Sequence, residues 1–325
     1  MTLAFNRQTL PLRKDFLIAG TCCHLSTNSH DILRAAGRCA PIGKQSDVPS
    51  FEMNIIVDAT LGGTSEHPAH FRGLRHLVFA ILRPRSFLTY DLLRRRVFGV
   101  LSNAAAGDDS FWNSLLLPIT LGVLGTTLGV APLHCACLES DGRAFLVAGA
   151  SGAGKSTLAA ALARRGFAII SDDWTYVSKE QSILVAHGLS SPIKLLPDTV
   201  RFFPELCQLS PRRTLNGELA YEIRPAHSIG FTAKHIAKPQ SIFFLERASS
   251  RGCNIVPCRS QYVRDFFEKS AERLPDELIE AKTMRTSIIR SLSAFPSWIL
   301  RTSENPHRTA EAVDHFLAEA SHARL

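Results

Sequence analysis

The stretch Gly149-Ala150-Ser151-Gly152-Ala153-Gly154-Lys155-Ser156-Thr157 constrains this chain more than any other. It fits G-x-x-x-x-G-K-[ST], in which glycines let successive backbone N–H groups turn inward and make a concave seat for phosphate oxygens. Such a seat works where a strand delivers the chain to the loop and a helix leaves it, because the helix N-terminus adds its dipole to the anion site. Both flanks are present. Phe145, Leu146 and Val147 precede the loop as an apolar run, and Leu158 and Leu162 among alanines predict a helix over 155–165, with Gly166 where a C-terminal cap falls. The phosphate-holding residues expected from the motif are Gly149, Ser151, Gly152, Ala153, Gly154, Lys155, Ser156 and Thr157. Lys155 is placed to reach the β- and γ-phosphates, and the Ser156 hydroxyl to ligate Mg²⁺.

One helix later, Ile169-Ile170-Ser171-Asp172-Asp173 ends an apolar strand in two carboxylates, facing the same phosphate site. One aspartate can hold Mg²⁺ through water while the other accepts a proton from a hydroxyl nucleophile. The alternative for the pair is a solvated turn, where Asp is common.

Residues 146–177, LVAGASGAGKSTLAAALARRGFAIISDDWTYV, resemble the core of the HPr kinase/phosphorylase family, bacterial kinases that phosphorylate a serine. The shared order is the loop, a helix ending in Arg-Gly, and a strand ending in Asp-Asp at the same separation. The resemblance implies a fold closer to phosphoenolpyruvate carboxykinase than to ordinary P-loop ATPases. It also implies ATP and Mg²⁺ as cofactors, and transfer of the γ-phosphoryl group to a serine-type hydroxyl of a protein or peptide. On it, Asp173 takes the catalytic role of proton acceptor, Lys155 and Ser156 keep their loop roles, and Asp172 supports the metal. His134 falls on a catalytic histidine ahead of the loop, and Arg224 on a substrate-side arginine. A core histidine and an exposed surface arginine are the respective alternatives. The likeness is good over 133–177 and weaker to about 247. It departs at Thr157, where the family has an acid, and after Gly188, where a Leu-Glu-Ile-Arg-Gly signature is missing and Asp198 is the nearest carboxylate. The HPr substrate and phosphorylase activity are therefore not carried over. A small-molecule kinase with the same core and a non-catalytic nucleotide-binding switch are the alternatives.

The chain has 325 residues, 45% hydrophobic and 20% charged, so it can bury a core and is not globally disordered. A polar Ala/Gly-rich joint at 103–109 divides the expected α/β (α+β) architecture. Residues 1–108 form a β-rich N-terminal domain for substrate recognition, and 109–325 the P-loop kinase domain. The first part predicts strands over 15–25, 51–60, 76–82, 86–90 and 95–101, and a helix over 29–36 capped by Asn28 or Ser29. The second predicts a hairpin through Ser140-Asp141-Gly142-Arg143, strands over 167–170, 174–177 and 241–245, and helices over 261–274, 277–292 and 309–320.

Eight scattered cysteines form no disulfide framework, and no second pair stands at metal-ligand spacing. Residues 1–12 have no apolar signal core, so the cytoplasm is the expected compartment. Residues 115–133 are uncharged and long enough to cross a bilayer. Pro118, Gly122, Gly125, Gly129 and Pro132 interrupt them, which predicts a helix over 111–124, a turn and a buried strand rather than a membrane span. The net charge is +8. Seven arginines crowd residues 70–96 against one acid, Asp91, suiting an acidic peptide, a phosphorylated ligand or RNA. Few aromatics are there to stack bases, so nucleic acid is disfavoured; alternation would also leave such arginines on a merely solvated face. A homo-oligomer stays open.

Overall fold

The computed structural model describes residues 10–43, 47–61, 69–83, 86–189, 191–214, 218–223, 231–247 and 252–322. The chain divides into two compact units. One holds Met1–Pro132, Leu215–Gly217 and Glu272–Thr286; the other holds Leu133–Thr214, Glu218–Ala271 and Ser287–Leu325. Both mix helices with sheets, giving an α/β protein.

The first unit is built on a seven-stranded sheet. Its strands are β1 (Leu12–Ile18), β2 (Thr21–Thr27), β3 (Ser50–Val57), β4 (His70–Leu74), β5 (Leu77–Arg83), β6 (Ser86–Asp91) and β7 (Arg96–Leu101), in the spatial order β1-β2-β3-β7-β6-β5-β4. The helix His30–Cys39 carries the chain from β2 to parallel β3, and Ser29 caps it by accepting from the Asp31 N–H. One sheet face is apolar and buried, with Phe16, Leu25, Met53, Ile55, Val97, Leu88 and Tyr90 at 1% exposure or less. The single strand expected over 15–25 is in fact a hairpin. Ala19 and Gly20 both take positive φ, 47° and 75°, and reverse the chain between two apolar runs that read as one. β4 is a further strand that the pattern did not predict.

The joint at 103–109 contains a short helix, Asn103–Ala106, whose first turn is capped by Ser102. The apolar run beyond it is one helical stretch, Asp109–Leu128, longer than the expected 111–124 and packed in the first unit. It widens to π geometry over Trp112–Leu116, where the Leu117 N–H reaches back to the Trp112 carbonyl. Pro118 follows and has no N–H for the carbonyl four residues earlier, so the ladder shifts by one there. The stretch is long and apolar enough to cross a membrane, but 61% of its apolar window is buried inside the fold. β8 (Val130–Leu133) follows it.

In the second unit, β9 (Cys135–Ser140) and β10 (Arg143–Gly149) form the expected hairpin. Asp141 and Gly142 have φ of 51° and 74°, the two positive values that a tight Asp-Gly turn requires. β11 (Ala168–Ser171), β12 (Thr175–Glu180), β13 (Ile183–His187), β14 (Ile193–Leu195), β15 (Arg212–Arg213) and β16 (Leu219–Ile223) come next. The remaining strands are β17 (Thr232–Ala233), β18 (Ile236–Ala237), β19 (Pro239–Arg247), β20 (Asn254–Pro257) and β21 (Ser297–Thr302). The central sheet runs β17-β11-β9-β10-β19-β21-β20, with β10, β19 and β21 parallel and β9 antiparallel to both its neighbours. This order positions the site. Because β9 runs against β10 and β11, its first residues lie beside the last residues of both.

The helix Lys155–Ala163 leaves the loop after β10 and, beyond its first turn, is buried on every side. Leu158 to Ala163 are at most 2% exposed, among Phe145, Val147, Ile169 and Phe243 of the sheet and Ala310 and Val313 of the helix Pro306–His322. Its run of alanines is what lets sheet and second helix approach from opposite sides at once.

Candidate functional site

Residues 150–154 form the turn between β10 and that helix. Gly152 and Gly154 sit at φ 73° and 101°, a region that side chains disfavour. A β-carbon at Gly149 would stand 3.1 Å from the Leu245 carbonyl oxygen and 3.3 Å from Ala153 Cβ, so a larger residue here requires its neighbours to give way by a few tenths of an ångström. Ser151 and Gly152 are exposed at the tip, while Ser156 and Thr157 are half-buried in the first helical turn. The Lys155 side chain curls back over the loop and donates to the Gly149 and Ala150 carbonyls at 3.1 and 3.3 Å. Burial lowers its pKa, against the pull of Asp173, Cys135 and Asp172.

The two aspartates end β11 and differ sharply. Burial, then the charge of Asp173, pushes the Asp172 carboxyl up to about 7, while the Ser156 hydroxyl, the Lys194 backbone N–H and Lys155 pull it down. Asp172 Oδ1 is buried without a hydrogen-bond partner. Asp173 turns toward solvent, its side chain 57% exposed, and its Oδ1 lies 2.9 Å from His134 Nε2. Lost hydration opposes its ionisation, but the hydrogen bond and charge of His134, with Lys194 and Lys155, hold its pKa below the ordinary value. Two adjacent carboxyls pushed apart in this way are suited to different tasks.

His134 stands at the bend between β8 and β9, the sheet end where β10 and β11 finish. Its ring lies against Trp174, centroids 5.5 Å apart. A hydroxyl clasp fixes this arrangement. Thr175 Oγ1 donates to the Cys135 carbonyl at 2.7 Å and lies 2.5 Å from Ser171 Oγ, with both residues buried. The clasp grips both sides of residues 172–174 and fastens them to the neighbour of His134.

The structure therefore brings Lys155, Ser156, Asp172, Asp173 and His134 to one place. Arg224 lies outside the described residues. Asp198 is exposed on the 3₁₀ turn Pro197–Arg201. Ser171, Thr175, Trp174 and Lys194 belong to the site yet were not anticipated. A Ser and a Thr bracketing the Asp pair were the visible signal for the clasp, whereas nothing in the local pattern marks Lys194. Cys135 and Cys137 are buried on β9, as expected of strand cysteines, and burial pushes the Cys135 thiol up to about 12. Among the described residues no three of His, Cys, Asp and Glu gather as a metal site. Mg²⁺ asks for less: one or two protein oxygens, with water and phosphate completing the shell. The Ser156 hydroxyl and the orphaned Asp172 Oδ1 fit that demand.

Gly188 guards the site from behind. A β-carbon there would lie 1.6 Å from the Ile170 carbonyl oxygen, two residues before Asp172, while the Gly188 N–H donates to the His235 carbonyl at 2.9 Å. Gly188→Ala is expected to destabilise the protein by about 3 kcal/mol or more. A urea midpoint equal to wild type would show that this close approach does not exist.

No family model and no curated protein matches the chain. Among solved structures it is similar to the HPr(Ser) kinase/phosphatase from Coxiella burnetii, at 13% identity and a TM-score of 0.31, covering 59% of this chain and 94% of that one. Likeness at that level carries no argument about chemistry, and the site stands on its own geometry.

Proposed function

We propose that this protein is an ATP-dependent kinase with a P-loop domain of the HPr-kinase and phosphoenolpyruvate-carboxykinase type. It would transfer the γ-phosphoryl group to a serine-type hydroxyl of a protein or peptide. The observation that carries the reading is the split carboxylate pair at the mouth of the phosphate loop. Asp172 stands beside Ser156 with a bare oxygen, and Asp173 is held ionised by His134. In the transfer, the acceptor oxygen bonds to the γ-phosphorus, the bond to the β-phosphate oxygen breaks, and the hydroxyl proton passes to Asp173. The loose transition state asks the protein chiefly for positioning and charge, so a weakly basic carboxylate suffices. His134 orients Asp173, while Lys155 and the N–H groups of 152–155 bind the phosphates. Ser156 and Asp172 would hold Mg²⁺, which when bound neutralises charge on the β- and γ-oxygens.

Lys155→Ala removes a buried charge-assisted contact and is expected to weaken ATP binding by about tenfold or more, measured by calorimetry. Affinity within about twofold of wild type would remove Lys155 from the phosphate seat. The reaction itself is tested with γ-labelled ATP against a serine-containing peptide array and, in parallel, free serine and other small hydroxyl compounds. Label on peptides is the expected result. Label confined to small molecules would replace the protein acceptor by a metabolite, and ATP binding with no label anywhere would leave a nucleotide switch in place of an enzyme.

A further inference from the structure

The first unit ends on an open strand. β4 lies last in its sheet, all five of its residues are exposed, and among the described residues no strand pairs with its outer side. Its register with β5 is continuous from His70↔Ile81 to Leu74↔Leu77, and it contains neither the bulge nor the proline that commonly blunts an edge. From His70 to Gly73 the side chains alternate in character, and Leu74, 64% exposed, follows on the face of His70 and Arg72. His70 and Arg72 share one face; Phe71, 45% exposed, and Gly73 share the other, and a β-carbon at Gly73 would meet nothing within 4 Å.

Positive charge continues past the strand's end. The Leu92 N–H donates to the His76 carbonyl at 2.9 Å, which ties the turn before β7 to the turn after β4 and brings Arg95 to the same end as Arg75. Arg94 and Arg96 are taken by Asp91 and Glu52 at 3.0 and 2.9 Å. Among the described residues Arg72, Arg75 and Arg95 are exposed and pair with no carboxylate.

We propose that the β4 edge docks an extended polypeptide segment in which acidic and apolar residues alternate. An added strand satisfies the open row of N–H and C=O groups, and its side chains meet those of β4 pairwise. Carboxylates fall beside His70 and Arg72. Apolar side chains fall beside Phe71 and into the space over Gly73, and a further acid meets Arg75 and Arg95. A backbone ladder and a two-residue alternation suit a peptide, not a nucleic acid. The inference rests on the kinase reading only in calling that segment part of the acceptor; the binding is testable without it.

Fluorescence anisotropy of the full chain with a labelled peptide alternating Glu and Val tests the proposal. Binding is expected, and Arg72→Glu should weaken it about tenfold or more while conferring binding of the matching Lys/Val peptide. A misfolded variant would not show that exchange of charge preference. N-methylation of alternate amides in the peptide should abolish binding. Four results would overturn the proposal: no uptake of the Glu/Val peptide, equal uptake of the Lys/Val or N-methylated peptide by wild type, displacement by single-stranded oligouridylate, or dimerisation through this edge in place of peptide uptake. ATP affinity and phosphoryl transfer, measured on the same samples, are read separately. Their survival alongside a failed peptide assay sinks the docking site alone, and their loss alongside peptide binding sinks the kinase reading alone.

Discussion

Asp173→Asn is expected to slow phosphoryl transfer by about 100-fold or more while leaving ATP affinity within about threefold. The amide keeps the shape of the carboxylate and an oxygen for His134, at 2.9 Å in the wild type, but it cannot take the proton of the incoming hydroxyl. A loss confined to the rate, with nucleotide binding retained, is the signature of a group that acts on the acceptor. The pH profile gives a second reading. Because His134, Lys194 and Lys155 hold the Asp173 carboxyl low, it stays ionised well into the acid range and activity should not fall there on its account. His134→Ala removes the main lowering causes, so the acid limb should move to higher pH. A transfer rate in Asp173→Asn within about threefold of wild type would end its assignment as the proton acceptor.

The second large effect concerns stability and runs against activity. Asp172 titrates near 7 in the fold, against 3.8 for the ordinary group. A carboxyl raised on folding prefers its proton in the native state, so its contribution to stability is fully present below about pH 4 and is lost as pH rises toward 7. A shift of that size corresponds to at most about 4 kcal/mol, and partial solvent access reduces it to about 2. Asp172→Asn should therefore raise the melting temperature of the metal-free protein at pH 8 and flatten the pH dependence between about 4 and 7, while transfer activity is lost. Mg²⁺ with ATP should stabilise the wild type more at pH 8 than at pH 5.5, because a cation needs the ionised oxygen, and that difference should vanish in Asp172→Asn. A variant no more stable than wild type at pH 8 would contradict the buried, unpartnered state of Oδ1.

Parts of the site were legible early because they depend on short-range backbone chemistry. Gly152 and Gly154 announce a loop at positive φ, Asp141-Gly142 a tight hairpin, and the apolar run before Asp172 a strand ending in acids. Where local signals are ambiguous, sequence pattern and structure part. Two apolar runs flanking Ala19-Gly20 read as one strand because Ala19 is no turn former and a lone glycine inside a strand pattern fits a bulge as well as a turn. The helix after 108 ran longer than its interruptions suggested, since Pro118 was absorbed by one widened turn. Gly188 carries no local mark at all: its need is space under the Ile170 carbonyl, which exists only once β11 and the end of β13 lie together.

The nine residues from Gly149 to Thr157 and the Asp172-Asp173 pair determined by themselves a glycine loop between strand and helix and two acids at a strand end, since glycine conformations and a strand–loop–helix order are set by neighbours in the chain. Only the tertiary structure decided what surrounds those acids. It ran β9 antiparallel between β10 and β11, setting His134 against Asp173, and it used Ser171 and Thr175 as a clasp, leaving Asp172 Oδ1 buried and unpartnered. Strand order and desolvation are products of contacts between distant segments, and no local pattern encodes which oxygen loses its water.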